Sequence, residues 1–405
     1  MSSAPPSIVI TGMGVLSAEG VGRAPLAAAL AAGRGSRRPM EPFAGLPPRD
    51  GAATLAGRLP TVPFQQWIPP LVGRRMSPPS RFAVTAARLA LDEAGYDLPE
   101  TPDRDTGVVS ATAFGPMSFT ERLLDQVFGE GPAAASPFLF TECVANAPAA
   151  QISIQCRLAG PNLTVCQREA SPLLMMARGA GELRAGRAGR MVVAAVEEMT
   201  PLIFAVLDRF RALARPCDGV EEARPFDRRR NGFIASEGAT VLVLEPEERA
   251  GERGRLRLAA WGSAFDGTAG RSGWGRGDAL LATQIRRGLE RFGLSPGDLD
   301  LVISGASGSR AGDRLEGAVL RRLAVPGPVL APKGVTGEYG GAFLAAAVLA
   351  MEGCPCGPTA GFREVDPAIA LVPHDGSPLA SPRRALVTSF AAGGAVSWLV
   401  LEALR

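Results

Sequence analysis

A carboxylate stands on a predicted strand-to-helix turn near the middle of the sequence. The β-prone run 163–166 leads through polar residues into a helix-forming segment that extends to about residue 184, and Pro172 suits the first turn of that helix. A side chain on such a turn lies where unpaired helix N–H groups and the positive end of the helix dipole meet, and enzymes often place a nucleophile there. The residue at this turn is Glu169, and we expect the helix terminus to favour its ionised form.

A carboxylate at this position is a poor acyl carrier, because exchange with a thioester would produce a labile mixed anhydride. The other candidate nucleophile is Cys166, which precedes Glu169 by three residues. Its place in the predicted strand indicates a buried, inert thiol that has no histidine to activate it. The single histidine, His374, stands in a polar His-Asp-Gly turn, and we expect it to face solvent without a catalytic role.

The composition is that of an ordinary globular protein: 405 residues, 46% hydrophobic and 20% charged. A net charge of +3 gives no reason to expect nucleic acid or an anionic membrane as a partner. No apolar run approaches the length needed to span a bilayer, and the first residues lack a charged-then-apolar leader. The six cysteines are scattered, and Cys354 and Cys356 form no metal-ligand pattern. We therefore expect a cytoplasmic protein with reduced thiols, no metal and no cofactor.

Apolar periodicity predicts strands alternating with helices, and the second half of the chain repeats the first. In the first half the predicted strands are 7–14, 106–110, 163–166, 191–196 and 239–244, and the predicted helices are 81–94, 117–128, 149–157 and the segment ending near 184; in the second half 255–261, 300–305 and 384–401 supply strands, and 279–292 and 341–351 supply helices. This order indicates an α/β protein of mostly parallel sheets between helices, with a site where the two halves meet. We place the halves at 1–250 and 251–405, with insertions at 34–80 and 112–150; the Pro-, Gly- and Arg-rich segment 34–80 is interpreted as an irregular surface excursion.

Short motifs spread over nearly the whole chain resemble those of the β-ketoacyl-ACP synthase family of the thiolase superfamily. The matching runs are Val9-Ile10-Thr11-Gly12-Met13-Gly14, Ser136-Pro137-Phe138, Gly160-Pro161-Asn162, Thr200-Pro201-Leu202, Arg224-Pro225-Phe226-Asp227, Gly232-Phe233, Ser236-Glu237-Gly238, Asp313-Arg314-Leu315-Glu316, Lys333 with Thr336-Gly337, and Ser389-Phe390 before Gly393-Gly394. Each run is weak alone, but their common order and spacing make chance an inadequate explanation. The resemblance implies a thiolase-like fold, a duplicated five-layered α-β-α-β-α architecture.

The resemblance also implies that the catalytic set of the family is missing. Active members carry the acyl chain on a cysteine and use two histidines in decarboxylation and condensation. The cysteine position falls on Glu169, the first histidine position on Gly305 and the second on Glu338, while the one histidine of the chain lies elsewhere. We expect Lys333 to pair with Glu338 or Glu169 and so to fill the inactive site with an ion pair; a surface lysine is the alternative.

This pattern is similar to that of the chain-length factor, the cysteine-less partner of the active ketosynthase in type II polyketide synthases. That branch usually carries glutamine at the elbow, so Glu169 departs from it; the glutamine form also occurs in loading-type decarboxylases, which keep their histidines. The resemblance implies two partners, an active ketosynthase in a heterodimer and an acyl carrier protein, with no nucleic acid and no membrane. The strand 162–166 is the expected interface strand.

One helix of a chain-length factor lines the far end of the acyl tunnel, and the resemblance places Met117, Thr120 and Leu124 on that face. An ordinary core or interface stripe explains their spacing equally well. Since the family has larger aromatic residues at such positions, Met117 and Leu124 predict a tunnel for a long or bulky intermediate. Two other functions remain open: a stand-alone malonyl-ACP decarboxylase or acyltransferase using Glu169 or Cys166, and a homodimeric acyl-binding scaffold.

Overall fold

Long apolar strands form the centre of the molecule, which is known from a computed structural model that describes residues 6–404. The strands are β1 Ile8–Ser17, β2 Gly20–Val21, β3 Arg38–Pro39, β4 Leu55–Ala56, β5 Thr106–Ala111, β6 Asn162–Val165, β7 Arg190–Glu197, β8 Gly238–Pro246, β9 Leu256–Phe265, β10 Leu301–Ile303, β11 Val329–Leu330, β12 Arg384–Phe390 and β13 Ala395–Ala403. Most of their residues are buried, as expected for strands covered on both faces.

Helices cover these strands. They are α1 Arg23–Ala32, α2 Pro70–Gly73, α3 Pro78–Glu93, α4 Met117–Glu130, α5 Pro137–Glu142, α6 Ala147–Cys156, α7 Ser171–Arg184, α8 Pro201–Arg209, α9 Glu247–Ala250, α10 Asp278–Glu290, α11 Arg310–Leu323, α12 Lys333–Thr336 and α13 Ala342–Met351. Short 3-10 turns lie at Phe64–Gln66, Pro132–Ala134, Arg168–Ala170, Gly251–Arg253 and Pro296–Asp298. No helix within residues 6–404 has both the length and the apolar character required to cross a bilayer.

The strand order is β11-β10-β12-β13-β9-β1-β8-β7-β5-β6, and β1 joins the two halves by pairing with both β8 and β9. Pairings of β5 with β6 and β7, and of β10 with β11 and β12, are parallel. The longest pairings, β1 with β8 and β9 with β13, are antiparallel. The expectation of mostly parallel sheets was therefore wrong. A continuous apolar run indicates a strand that is buried on both faces. Parallel and antiparallel strands can both be buried in this way, so the run does not predict strand direction.

Two helices form the middle layer. Helix α7 contacts strands of both halves, β5 and β7 on one side and β9 and β13 on the other, and α13 likewise contacts β1, β8, β12 and β13. All residues of α13 are buried and apolar, as expected for a helix surrounded by other elements. Helices α3 and α6 cover the outer face of the first half, and α10 and α11 cover that of the second. The predicted five-layered α-β-α-β-α architecture is confirmed.

The segment 34–80 is more than a surface excursion. It contains β3, β4 and α2, and its side chains Met40, Ala56, Ile68 and Met76 are buried against the first half. That part of the prediction was wrong, because its Pro- and Gly-rich composition concealed widely spaced core residues. The segment 112–150 contains the helices α4 and α5, which pack against each other, and the first residues of α6.

Candidate functional site

The turn that carries Glu169 connects β6 to α7 through a single 3-10 turn. Arg168 has a left-handed backbone with φ of 50°, which is uncommon for a residue with a side chain. Its guanidinium donates to the Ala392 carbonyl at 3.0 Å, and the Gln167 N–H donates to Ser171 Oγ at 2.6 Å. These bonds hold the elbow in shape and direct the Glu169 side chain into the protein.

Glu169 is held from several directions. Its Oε1 accepts a hydrogen bond from the Tyr339 hydroxyl at 3.0 Å, and its backbone carbonyl accepts one from Ser389 Oγ at 2.6 Å. The other carboxylate oxygen, Oε2, is buried without a hydrogen-bond partner in the described part of the chain. Burial, and secondly the charge of Glu338, raise the pKa of Glu169. This direction is opposite to the one expected from the helix terminus, because desolvation outweighs the helix dipole at this position.

Lys333 and Glu338 form a buried ion pair with 2.6 Å between Nζ and Oε1. The ammonium of Lys333 also lies 4.9 Å from the centre of the Phe343 ring. Glu338 is fixed by its backbone, since its N–H donates to Ile234 at 2.8 Å and its carbonyl accepts from the Ser236 N–H at 2.7 Å. Of the two pairings considered from sequence, the structure contains the one between Lys333 and Glu338.

Gly305 leaves no room for a larger residue. A β-carbon at this position would lie 2.6 Å from the Thr388 carbonyl oxygen, so any side chain would require the backbone to move. The Gly305 N–H donates to Glu316 Oε1 at 2.9 Å, and the Thr388 hydroxyl of β12 donates to the same oxygen at 2.6 Å, so Glu316 links the residues after β10 to β12. A histidine at position 305, where the family resemblance places one, would therefore not fit without a shift of the backbone.

The three degenerate positions converge on one small cavity. Its wall includes Glu169, Gly305 and Glu338, together with the rings of Phe233, Trp274 and Phe390. The cavity volume is about 10 Å³, close to the room needed for one water molecule. The sequence positions 169, 305 and 338 therefore meet in space, but around a site too small for a thioester substrate.

Two predictions on the remaining candidates were wrong. Cys166 is exposed in this chain, because it follows β6 at the edge of the sheet instead of lying inside it. Partial burial and the charge of Glu197 nevertheless raise the pKa of its thiol, so the thiolate is disfavoured. His374 is only 7% exposed, and its Nε2 lies 3.1 Å from the Cys356 carbonyl oxygen, so it is a packed structural residue.

The proposed tunnel face lies on α4, and its side chains differ in exposure along the helix. Met117 packs with Phe114 and Tyr339 in a hydrophobic cluster. Thr120 Oγ1 donates to the Pro116 carbonyl at 2.9 Å, and Leu124, two turns from Met117, is 43% exposed. The face therefore leads from the interior of the chain to its surface.

Sequence reasoning missed Tyr339, which contacts Glu169 across a sequence separation of 170 residues. The available signal was its position directly after Glu338, in a chain with only two tyrosines. No group of three or more His, Cys, Asp or Glu side chains among residues 6–404 is arranged to hold a metal ion.

Comparisons with known proteins agree with this geometry. The model of the beta-ketoacyl synthase N-terminal domain matches residues 6–250. The actinorhodin polyketide beta-ketoacyl synthase 2 of Streptomyces coelicolor is 31% identical over 409 residues, which cover 98% of each chain. The tetracenomycin polyketide synthase ketoacyl synthase beta subunit of Streptomyces glaucescens is 31% identical over 425 residues, with 99% of each chain covered. Among solved structures, the ishigamide ketosynthase/chain length factor superposes with a TM-score of 0.88 at 26% identity, covering 99% of this chain and 100% of that chain. The family model matches more than half of the chain and these two relatives are 31% identical to nearly all of it, so the chain belongs to the beta-ketoacyl synthase family.

Proposed function

We propose that this chain is a catalytically silent ketosynthase-like subunit, a chain-length factor that forms a heterodimer with an active ketosynthase. In that complex it shapes the tunnel in which a polyketide or polyene chain grows on an acyl carrier protein. The observation that carries the proposal is the cavity at positions 169, 305 and 338, whose wall includes four carboxyl groups, those of Glu169, Asp313, Glu316 and Glu338, and no thiol or imidazole.

The chemistry of this cavity argues against turnover. Covalent acyl transfer needs an activated nucleophile with a base within reach. Here burial raises the pKa of the Glu169 carboxyl, and the carboxylate of Glu338 is paired with the Lys333 ammonium. Cys166 does not line the cavity, and neither does the only histidine, His374, whose Nε2 lies beside the Cys356 carbonyl oxygen. A decarboxylase or acyltransferase acting alone has no recognisable machinery at this site.

The edge of the sheet supports the proposed heterodimer. Strand β6 pairs with β5 on one side, and within the described residues its other side has no strand partner. An open strand edge can pair with a strand of a second subunit. The helices α4 and α5 expose the large apolar side chains Phe128, Phe138 and Phe140, and exposed apolar surface of this kind is typical of interfaces. The names of the relatives, a beta subunit and a ketosynthase/chain length factor, describe the same type of assembly.

The tunnel assignment rests on α4. Its face from Met117 through Thr120 to Leu124 begins inside the chain and ends at the surface beside α5. A second subunit placed over the exposed end would complete the wall of a tunnel. Since these three side chains are not aromatic, the space they leave suits a long or bulky acyl chain.

The proposal is tested by measuring carbon dioxide release from a malonyl carrier protein. The purified chain alone should release none above the buffer rate, whereas its complex with an active ketosynthase should turn over. Release by the chain alone that disappears in Glu169→Ala or Cys166→Ala would establish a decarboxylase instead. Gel filtration of the same samples tests the second alternative, the homodimeric acyl-binding scaffold. Such a scaffold would elute as a homodimer and would not co-elute with the ketosynthase.

A further inference from the structure

Tyr339 lies between the inactive cavity and the proposed tunnel face. Its hydroxyl donates to Glu169 Oε1 at 3.0 Å. Its ring meets the Phe233 ring edge-on with centres 5.8 Å apart, and Phe233 lines the cavity. The Tyr339 ring also packs edge-on against the Phe114 ring, with the ring centres 5.0 Å apart. Met117 packs against the same hydrophobic cluster as these two rings.

The backbone of Tyr339 adopts an energetically unfavourable conformation. Tyr339 has φ of 75°, a left-handed conformation that is an outlier for a bulky residue. The flanking Gly340 and Gly341 also have positive φ, and a β-carbon on either would lie 2.8 Å from atoms of Glu237 or Ala195. The loop therefore packs closely against β7 and the start of β8, and this packing holds Tyr339 in its left-handed conformation. Strain of this kind persists only where the surroundings enforce it, and it often marks a functional position.

We propose that Tyr339 is a specificity-determining plug, whose ring closes the passage from the Met117 face to the chain's own inactive site and so limits the depth of the acyl tunnel. This inference rests on the proposed function. The distal end of the growing acyl chain would reach Met117 and meet the Phe114 and Tyr339 rings there. Without the tyrosine ring, the small cavity beside Glu169 and Phe233 would join the tunnel and extend it.

Two variants separate the ring from the hydroxyl. Tyr339→Gly removes the ring and also suits the positive φ, so the loop keeps its conformation. Tyr339→Phe keeps the ring and loses only the hydrogen bond to Glu169. In the complex with the ketosynthase, we expect the glycine variant to shift the main product to a longer chain by at least one two-carbon extension, and the phenylalanine variant to leave product length unchanged. Mass spectrometry of the released products measures both.

A double variant tests the route through Met117. A tryptophan at this position would block the passage before the plug, so Met117→Trp combined with Tyr339→Gly should give no lengthening. Where the glycine variant does not fold, Tyr339→Ala provides the same loss of the ring. Unchanged product length in a folded Tyr339→Gly complex would overturn the proposal that Tyr339 limits the depth of the tunnel.

The single variant Leu124→Trp distinguishes the two proposals. If it shortens the product while Tyr339→Gly has no effect, the plug is wrong and the chain-length role stands. If neither substitution changes product length in a complex that forms and turns over, both proposals fall.

Discussion

The Nζ atom of Lys333 lies 2.6 Å from Glu338 Oε1, and both side chains are almost completely buried. The glutamate stands where the family resemblance places a second histidine, directly after the run from Lys333 to Gly337. A buried ion pair is weak evidence of net stability, but removing one partner leaves the other charge uncompensated. In this pair each buried charge is compensated by the other.

Breaking this pair should be costly. Glu338→Ala should lower the free energy of unfolding by about 3–5 kcal/mol, because it strands the Lys333 ammonium. The double variant Lys333→Met with Glu338→Leu should recover most of that loss, since apolar residues of similar size can replace a buried pair. Denaturant unfolding measures both variants. The matched control is Glu364→Ala, which breaks the exposed pair with Arg228 and should cost less than about 1 kcal/mol. Equal losses at the two sites would contradict the buried character of the Lys333 pair.

The raised pKa of Glu169 predicts a pH-dependent stability difference. A carboxyl group whose pKa is higher in the folded than in the unfolded state stabilises the fold fully below its ordinary pKa of 4.5, and this contribution is lost as the pH rises through the folded value. Glu169→Gln remains neutral at every pH. The variant should therefore gain stability relative to the natural chain as the pH increases from 4.5. Unfolding curves recorded across the pH range test this, and a difference that is constant with pH would contradict it.

Bulky residues on the α4 face should shorten the product. Leu124 is partly exposed, so Leu124→Trp should fold normally and narrow the proposed tunnel in the complex. Met117→Trp should act in the same direction, with some loss of stability because Met117 already packs against Phe114 and Tyr339. The control is Asp125→Trp, an exposed position on a different face of the helix. Product mass should shift for the first two variants and stay constant for the control; the reverse pattern would place the tunnel elsewhere.

Glu142 should anchor α5, the helix that packs against α4, to α3 and α6. Its Oε2 accepts from Ser77 Oγ at 2.9 Å and from Ser80 Oγ at 2.7 Å, and its Oε1 accepts from Gln151 Nε2 at 2.6 Å. Glu142→Ala leaves these buried donors without an acceptor and should cost about 2–3 kcal/mol. Hydrogen exchange should increase in α5 and in the first turn of α3, whereas Glu142→Gln should behave more nearly as the natural chain. Faster exchange spread evenly over the protein would argue against a local anchor.

The sequence predicted those parts of the fold in which burial alone determines the pattern. Strand β7 and helix α3 lie within three residues of their predicted bounds, because their apolar residues recur with the period of the element. Helices α1, α8 and α11 were not predicted. The parallel arrangement and the burial of Cys166 were wrong, since strand direction and edge position depend on contacts between distant segments. For the same reason no local pattern could reveal that Tyr339 bonds to Glu169.

Positions 169, 305 and 338 were found because a family pattern marked them, whereas their chemistry required the structure. A helix terminus predicts a carboxyl that ionises readily, but only the packed environment shows that burial and the neighbouring Glu338 raise the pKa of Glu169. Likewise, the glycine at 305 is visible in the sequence, but the close approach of the Thr388 carbonyl that excludes a side chain is not.

The most direct test of a silent subunit is to find where the acyl group is attached. The complex of this chain with an active ketosynthase is incubated with an acyl thioester, and the mass of each intact subunit is measured. The account predicts an acyl adduct on the ketosynthase alone, with the mass of this chain unchanged. An adduct on this chain that is lost in Glu169→Ala or Cys166→Ala would contradict it.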